Sequence, residues 1–184
     1  MRKIIVQEMI SVDGFFAGEN GEIDWHNVDA EFNKYAIEFL NTIDTLVFGR
    51  LTYELMASYW PTDAGLNDDP IVASKMNHLS KIVFSKTKNI VAWNNSKVFS
   101  DINADEIKKL KQAEGKDIAI FGSGTIVSAL TELGLIDEYR LIVNPIVLGK
   151  GKSLFSNMEK RYKLQIIEVK EFKSGNISLH YKSL

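Results

Sequence analysis

The sequence predicts an α/β domain of three layers. A mostly parallel, mixed β-sheet lies between two layers of helices, with an antiparallel hairpin at its C-terminal edge. Three observations carry this. Short, unbroken apolar runs recur along the chain, each ended by a turn residue, as strands covered on both faces require. Amphipathic stretches of helical spacing lie between them, the alternation that builds parallel sheets. The last two β-rich runs are separated by little more than a Ser174-Gly175 turn. At 184 residues the chain has the length of one domain, residues 1–184.

Each element has a local reason. Residues 3–10 form the first strand, with Ile4, Ile5 and Val6 contiguous. A helix over 29–41 places Phe32, Tyr35, Ala36, Phe39 and Leu40 on one face, with Asp29 as N-cap. A strand over 45–48 ends at Gly49, and a helix over 51–59 follows. A helix over 69–78 precedes a strand over 81–84 that ends at Ser85. A helix over 104–114 leads into a strand over 117–121 that ends at Gly122. The next helix, 125–133, has Gly134 as its C-cap. A strand over 139–143 precedes the hairpin of 163–172 and 176–181.

Composition excludes several function classes. Lys plus Arg number 22 and Asp plus Glu 24, a net charge of -2, so no basic excess points to nucleic acid. With no cysteine there is no disulfide, thiol catalysis, Fe–S cluster or cysteine-ligated zinc. His26, His78 and His180 are far apart, which argues against a metal site; His78 and His180 read as ordinary surface or edge residues. The opening MRKIIVQEMI is broken by Gln7 and Glu8, unlike a secretion signal. No apolar run reaches the roughly 18 residues of a membrane span. The expectation is a cytoplasmic protein with a small-molecule ligand, no nucleic-acid partner and no membrane.

Ligands of open parallel sheets bind beyond the carboxyl ends of the strands. Three such ends carry suitable chemistry. Gly49-Arg50-Leu51-Thr52 opens a helix, Ser85-Lys86-Thr87 follows a strand, and Gly122-Ser123-Gly124-Thr125 opens another helix. A glycine turn at a helix N-terminus presents backbone N–H groups to an anion. Arg50 and Lys86 add positive charge suited to phosphate. The third loop is no dinucleotide fingerprint: Val127 stands where the last glycine would fall. The phosphate-loop and nucleophile-elbow motifs are absent as well.

Five segments in order resemble one family. VFGRLTYE, VFSKT and IFGSGTIVSAL resemble the dihydrofolate-reductase fold. SVDGFFAG and NPIVLGKGKSLF bring the likeness closer to the reductase domain of bacterial riboflavin biosynthesis (the RibD C-terminal domain) and its small stand-alone relatives. The likeness covers about residues 2–184. It implies an NADPH cofactor laid over the strand ends. Gly49, Arg50 and Thr52 would meet the 2′- and pyrophosphate region. Ser85, Lys86 and Thr87 would meet the adenine-ribose phosphate. Gly122, Ser123, Gly124, Thr125 and Ile126 would wrap the pyrophosphate. The zinc deaminase domain of many riboflavin enzymes has no counterpart, since its cysteines are missing. The acid that folate reductases place about five residues after a tryptophan falls on Ala30, between Asp29 and Glu31.

Asp13 follows the first strand and reads either as a turn residue or as a carboxylate facing nicotinamide and substrate; the second makes it the candidate acid. Trp25 and Tyr53 are candidate substrate-pocket walls or core residues, and Lys150-Gly151-Lys152 reads as a solvated turn. The leading function is an NADPH-dependent reductase of a small heterocyclic or ribosylamino-pyrimidine-type compound. An NADP(H)-binding protein without turnover and a dihydrofolate-reductase-type enzyme remain open. A homodimer packed through the apolar runs 141–143 and 146–148 also remains open.

Overall fold

The computed structural model describes residues 1–87, 92–156 and 158–184. In chain order the elements are β1 (Ile4–Ser11), β2 (Phe15–Ala17), α1 (Ala30–Thr42), β3 (Ile43–Gly49), α2 (Arg50–Ala57), α3 (Asp63–Asp68), α4 (Pro70–His78), β4 (Ser80–Phe84), β5 (Ser96–Phe99), α5 (Ala104–Gln112), β6 (Asp117–Ile120), α6 (Gly124–Glu132), β7 (Glu138–Asn144), β8 (Lys152–Ser153), β9 (Leu164–Glu171) and β10 (Ile177–Ser183). Eight strands form one sheet in the order β5-β4-β3-β6-β1-β7-β10-β9. Every pairing from β5 to β7 is parallel, and β7-β10 and β10-β9 are antiparallel. The expected three-layer architecture is therefore present.

Strand β1 shows why its run of apolar residues is unbroken. Ile4 and Val6 join a core with Val127, Leu130 and Tyr139 on one face of the sheet. Ile5 joins a core with Phe39, Phe48 and Met76 on the other. Both faces are covered, so alternation with polar residues disappears. Helix α1 starts where its cap predicts: the Asp29 carboxylate accepts from the Phe32 backbone N–H at 2.8 Å. Gly134, at φ +64°, ends α6, and its N–H donates to the Thr131 carbonyl at 2.9 Å. The hairpin turns at Gly175, whose N–H donates to the Phe172 carbonyl at 2.9 Å.

Several expectations need correction. Leu141 and Ile142 are buried in β7, between β1 and β10, so that run is a central strand and not a docking edge. His180 is no surface residue: it is buried, and its Nε2 lies 2.9 Å from Glu138, which also pairs with Lys3 at 2.6 Å. Residue 152 belongs to a second sheet in which β8 pairs with β2 across the mouth of α6, so the 150–152 segment is not merely a solvated turn. Among the described residues no helix is long and apolar enough to cross a membrane.

Candidate functional site

A cavity of about 770 Å³ opens beyond the carboxyl ends of β1, β3 and β6. One wall is the start of α2, from Gly49 to Thr52; another is the start of α6, from Ser123 to Ile126. The segment after β1 contributes Phe16, Ile23 and His26, and β8 contributes Lys152 and Ser153. Glu8 reaches it from β1.

The two helices that open here differ from the rest. Helices α1, α3, α4 and α5 each begin with a side-chain cap, from Asp29, Thr62, Asp69 and Asn103. Helices α2 and α6 begin at Gly49 and Ser123 with no side-chain cap. An uncapped N-terminus presents unsatisfied N–H donors and the positive end of the helix dipole. Both ends face one cavity, and Arg50 stands beside them with its guanidinium 2.8 Å from Glu54. The wall is thus built for anionic oxygen.

Two buried polar atoms on this wall have no hydrogen-bond partner: Glu8 Oε2 and His26 Nε2. Burial pushes the Glu8 carboxyl up to about 8, against a smaller opposite pull from the Gly122 backbone N–H. Burial pushes the His26 imidazole down to about 4, against smaller opposite pulls from the Phe16 backbone and Asp24. Both groups are therefore neutral near pH 7. A neutral carboxyl can donate a hydrogen bond, and an imidazole nitrogen without a proton can accept one. Glu8 lies next to Gly122, whose φ is +69°; a Cβ there would come within 3.3 Å of Glu8 Oε2 and 3.1 Å of Thr52 Oγ1. The Gly122–Ser123 peptide bond is cis.

The structure brings Gly49, Arg50, Thr52, Ser123, Gly124, Thr125 and Ile126 together on the cavity wall, with Gly122 buried behind them. Ser85, Lys86 and Thr87 do not line it: Ser85 is buried, its hydroxyl donating to the Thr87 carbonyl at 2.7 Å, while Lys86 and Thr87 are exposed. Gly124 is close to protein rather than to open space. A Cβ there would meet the Ser153 carbonyl oxygen at 2.8 Å and the Phe16 ring at 3.0 Å.

Three candidates are corrected. Asp13 stands off the cavity: its carboxylate accepts from the Ser11 hydroxyl at 2.6 Å, the Leu148 N–H at 3.1 Å and the Gly149 N–H at 2.7 Å. The Ser11 hydrogen bond, first among these, holds it below the usual carboxylate range. It ties the end of β1 to the 148–149 loop and does not face the cavity. Tyr53 is fully buried, packed on Phe48 and Trp93, with its hydroxyl 3.1 Å from Ser96. Trp25 is also off the cavity wall; its indole donates to the Glu22 carbonyl at 3.1 Å and its ring meets His26 edge-on at 4.5 Å. It supports a cavity residue without being one.

Sequence reasoning missed Glu8, His26 and Lys152 as site residues. Glu8 left one signal: a carboxylate inside a central strand, two residues after Val6 and so on the same sheet face as the buried Ile4 and Val6. His26 and Lys152 left none, because their placement depends on how the loops around β2 and β8 fold back.

A mixed sheet of this order, with a cavity beyond its strand ends and helix N-termini opening on it, defines a dihydrofolate-reductase-like domain. The likeness is seen in the dihydrofolate reductase of Enterococcus faecalis, solved in complex with NADP(H). The TM-score is 0.64 at 16% identity, over 98% of this chain and 96% of that one. Residues 2–178 match the RibD C-terminal domain, and the chain belongs to that family. The Bacillus subtilis (strain 168) protein YyaP is 36% identical over 98% of this chain and 94% of its own length. The crystal structure of a putative riboflavin biosynthesis protein from Shewanella sp. PV-4 superposes with a TM-score of 0.75 at 24% identity, covering 99% of both chains.

Proposed function

We propose that this protein is an NADPH-dependent reductase of a small heterocyclic compound, of the ribosylamino-pyrimidine type that its likeness to the riboflavin-biosynthesis reductases implies. The observation that carries the reading is the pair of uncapped helix N-termini on one cavity, whose wall also holds two neutral side chains. The residues present suit the cofactor: backbone N–H groups of α2 and α6 would take the pyrophosphate, and Arg50 would pair with a further phosphate. When bound, the cofactor supplies a hydride from C4 of its nicotinamide ring. The chain's own part is placement and exclusion of water. Phe16 and Ile126 line the wall with apolar surface, and Thr52 and Ser123 offer hydroxyls beside the phosphates. Lys86, exposed beyond β4, is a candidate for the outer phosphate of the adenosine half.

The test is titration of NADPH and NADH by calorimetry, followed by turnover with pterin, flavin and aminopyrimidine compounds. NADPH binds and NADH binds more weakly. Replacing Arg50 and Lys86 together with Ala weakens NADPH by roughly 10²–10⁴-fold and leaves NADH nearly unchanged, since each charge-assisted contact contributes about 1.5–3 kcal/mol. Equal losses for the two cofactors would overturn the phosphate assignment.

A further inference from the structure

We infer that this protein forms a two-fold dimer through β9, the outer strand of the sheet, which pairs with β9 of a second copy about an axis at Val169. The sheet ends in two unlike edges. β5 is four residues long, the short edge that soluble proteins favour. β9 is eight residues long, and Ile166, Ile167 and Val169 stand 48%, 48% and 59% exposed on it. Its register on β10 shifts between His180 and Tyr181, so that Ile166 pairs with Tyr181 and Val169 with Leu179. Paired residues of adjacent strands share a sheet face. Ile166 and Val169 therefore stand on one face with Leu179 and Tyr181, and Ile177 extends this apolar strip. The opposite face is the one that α1 covers. There Phe172 packs on Phe32 and Tyr35, and the Lys170 ammonium lies 5.3 Å and 4.9 Å from the ring centres of Tyr35 and Phe172. A long edge strand with exposed apolar side chains is a template for another strand.

The main chain of β9 is turned the right way to receive one. The Phe172 N–H donates to the Asn176 carbonyl at 2.9 Å, so at 172 the main-chain groups turn toward the β10 side of the hairpin. These groups alternate sides along an antiparallel strand. Those of Lys170 and Glu168 turn toward β10 as well, opposite Ser178 and His180. Those of Glu171 and Val169 turn outward. Val169 can therefore stand at the centre of a hydrogen-bonded pair, its N–H donating to the Val169 carbonyl of the second copy and its carbonyl accepting in return.

Charge selects the register and the occupant. A two-fold axis sets one residue against its own copy, and the residue before it against the copy of the residue after it. With the axis at 168, 170 or 171, Glu168, Lys170 or Glu171 meets its own copy, and like charges stand in direct opposition. With the axis at 166 or 167, Glu168 falls opposite Leu164 or Ile166, and no charge finds a partner. With the axis at 169, Val169 meets Val169, and Glu168 falls opposite Lys170 twice, once on each side. Glu168 is exposed, and Lys170 is held by the two rings on the same sheet face. The charge pattern of β9 is thus its own complement, which marks a second copy of this chain as the occupant.

The experiment is sedimentation equilibrium of the full chain across about 1–200 μM, and it needs neither cofactor nor substrate. The wild type should show twice the 20.8 kDa of one chain above about 10 μM. Val169→Glu brings two carboxylates together at the axis and should show the single-chain mass throughout. Glu168→Lys puts like charges in opposition twice and should weaken the dimer by about tenfold; adding Lys170→Glu restores the pairing and should recover most of that loss. Circular dichroism checks that each variant is folded. A crosslink then reads the register in a chain that has no cysteine of its own. Val169→Cys places two thiols on residues about 5.5 Å apart between Cα atoms, within disulfide reach, and mild oxidation should link the two copies. Glu171→Cys separates the thiols by four residues of strand, on the order of 13 Å, and should stay unlinked. A wild type of single-chain mass at every concentration would overturn the dimer. A dimer that survives Val169→Glu, or one that links at 171 and not at 169, would overturn the β9 pairing. The wild-type mass and the crosslink decide even if a charge variant does not fold.

Discussion

Glu8→Gln should make the ligand-free protein more stable at alkaline pH, and the gain can be worked from the burial of the carboxyl. Its folded-state value of about 8 stands against 4.5 in the unfolded chain. Between those values the folded state holds the proton more tightly, so stability falls as pH rises through the window. The full separation of about 3.5 units is worth up to about 5 kcal/mol. At pH 5 only a small part of that has been lost; at pH 8.5 nearly all has. Gln is neutral at every pH and close to isosteric, so it tracks the protonated acid. The expected result is two proteins of similar stability at pH 5 and a variant about 3–5 kcal/mol more stable at pH 8.5. Urea unfolding at half-unit steps of pH, followed by circular dichroism, measures this directly. The slope m should stay the same in both proteins, because the surface exposed on unfolding does not change. A stability difference that stays constant from pH 5 to 9 would refute the reasoning, since it would mean that Glu8 titrates like a solvated carboxyl.

Three other outcomes follow from the same structure. His26 carries the opposite sign: its folded value near 4 against 6.5 unfolded makes wild-type stability rise from pH 4 to 6.5. His26→Gln should flatten that limb by about 2–3 kcal/mol in the same urea series, and an unchanged acid limb would count against a buried neutral ring. Asp13→Asn should lower Tm by a few degrees through the loosened 148–149 loop while NADPH affinity, read by calorimetry, stays within about twofold. A tenfold affinity loss at unchanged Tm would instead return Asp13 to the site. Gly124→Val should lower Tm as well as cofactor affinity, because its side chain meets the Ser153 carbonyl oxygen and the Phe16 ring before any ligand arrives; a full loss of binding at wild-type Tm would show that the glycine serves the ligand alone.

Those parts of the fold that depend on local chemistry were legible in the sequence. Strands β1, β3, β4 and β6 carry unbroken apolar runs, at 4–6, 46–48, 82–84 and 118–120, because both of their faces are covered, and the Asp29 cap and Gly134 terminator act within a few residues of themselves. β2 and β8 were not legible. They have three and two residues, and they pair only because the chain between them folds back over α6. The site divides in the same way. Glycine turns after strands are visible motifs, so the openings of α2 and α6 were found. Glu8 and His26 owe their significance to burial, which no spacing rule reports. Asp13 misled because an aspartate before a glycine after a strand looks the same whether it faces a ligand or ties down a neighbouring loop. Here it accepts the Leu148 and Gly149 N–H groups.

The bare N-termini of α2 and α6 also bear on how firmly the empty protein is built. A side-chain cap typically stabilises a helix by about 1 kcal/mol, and these two helices forgo it while their four neighbours keep it. The first turns of α2 and α6 are thus the least secured helix starts in the domain, and they frame one opening. An oxyanion settling there serves as a shared cap for both. A ligand bound there would finish a piece of architecture that folding alone leaves open.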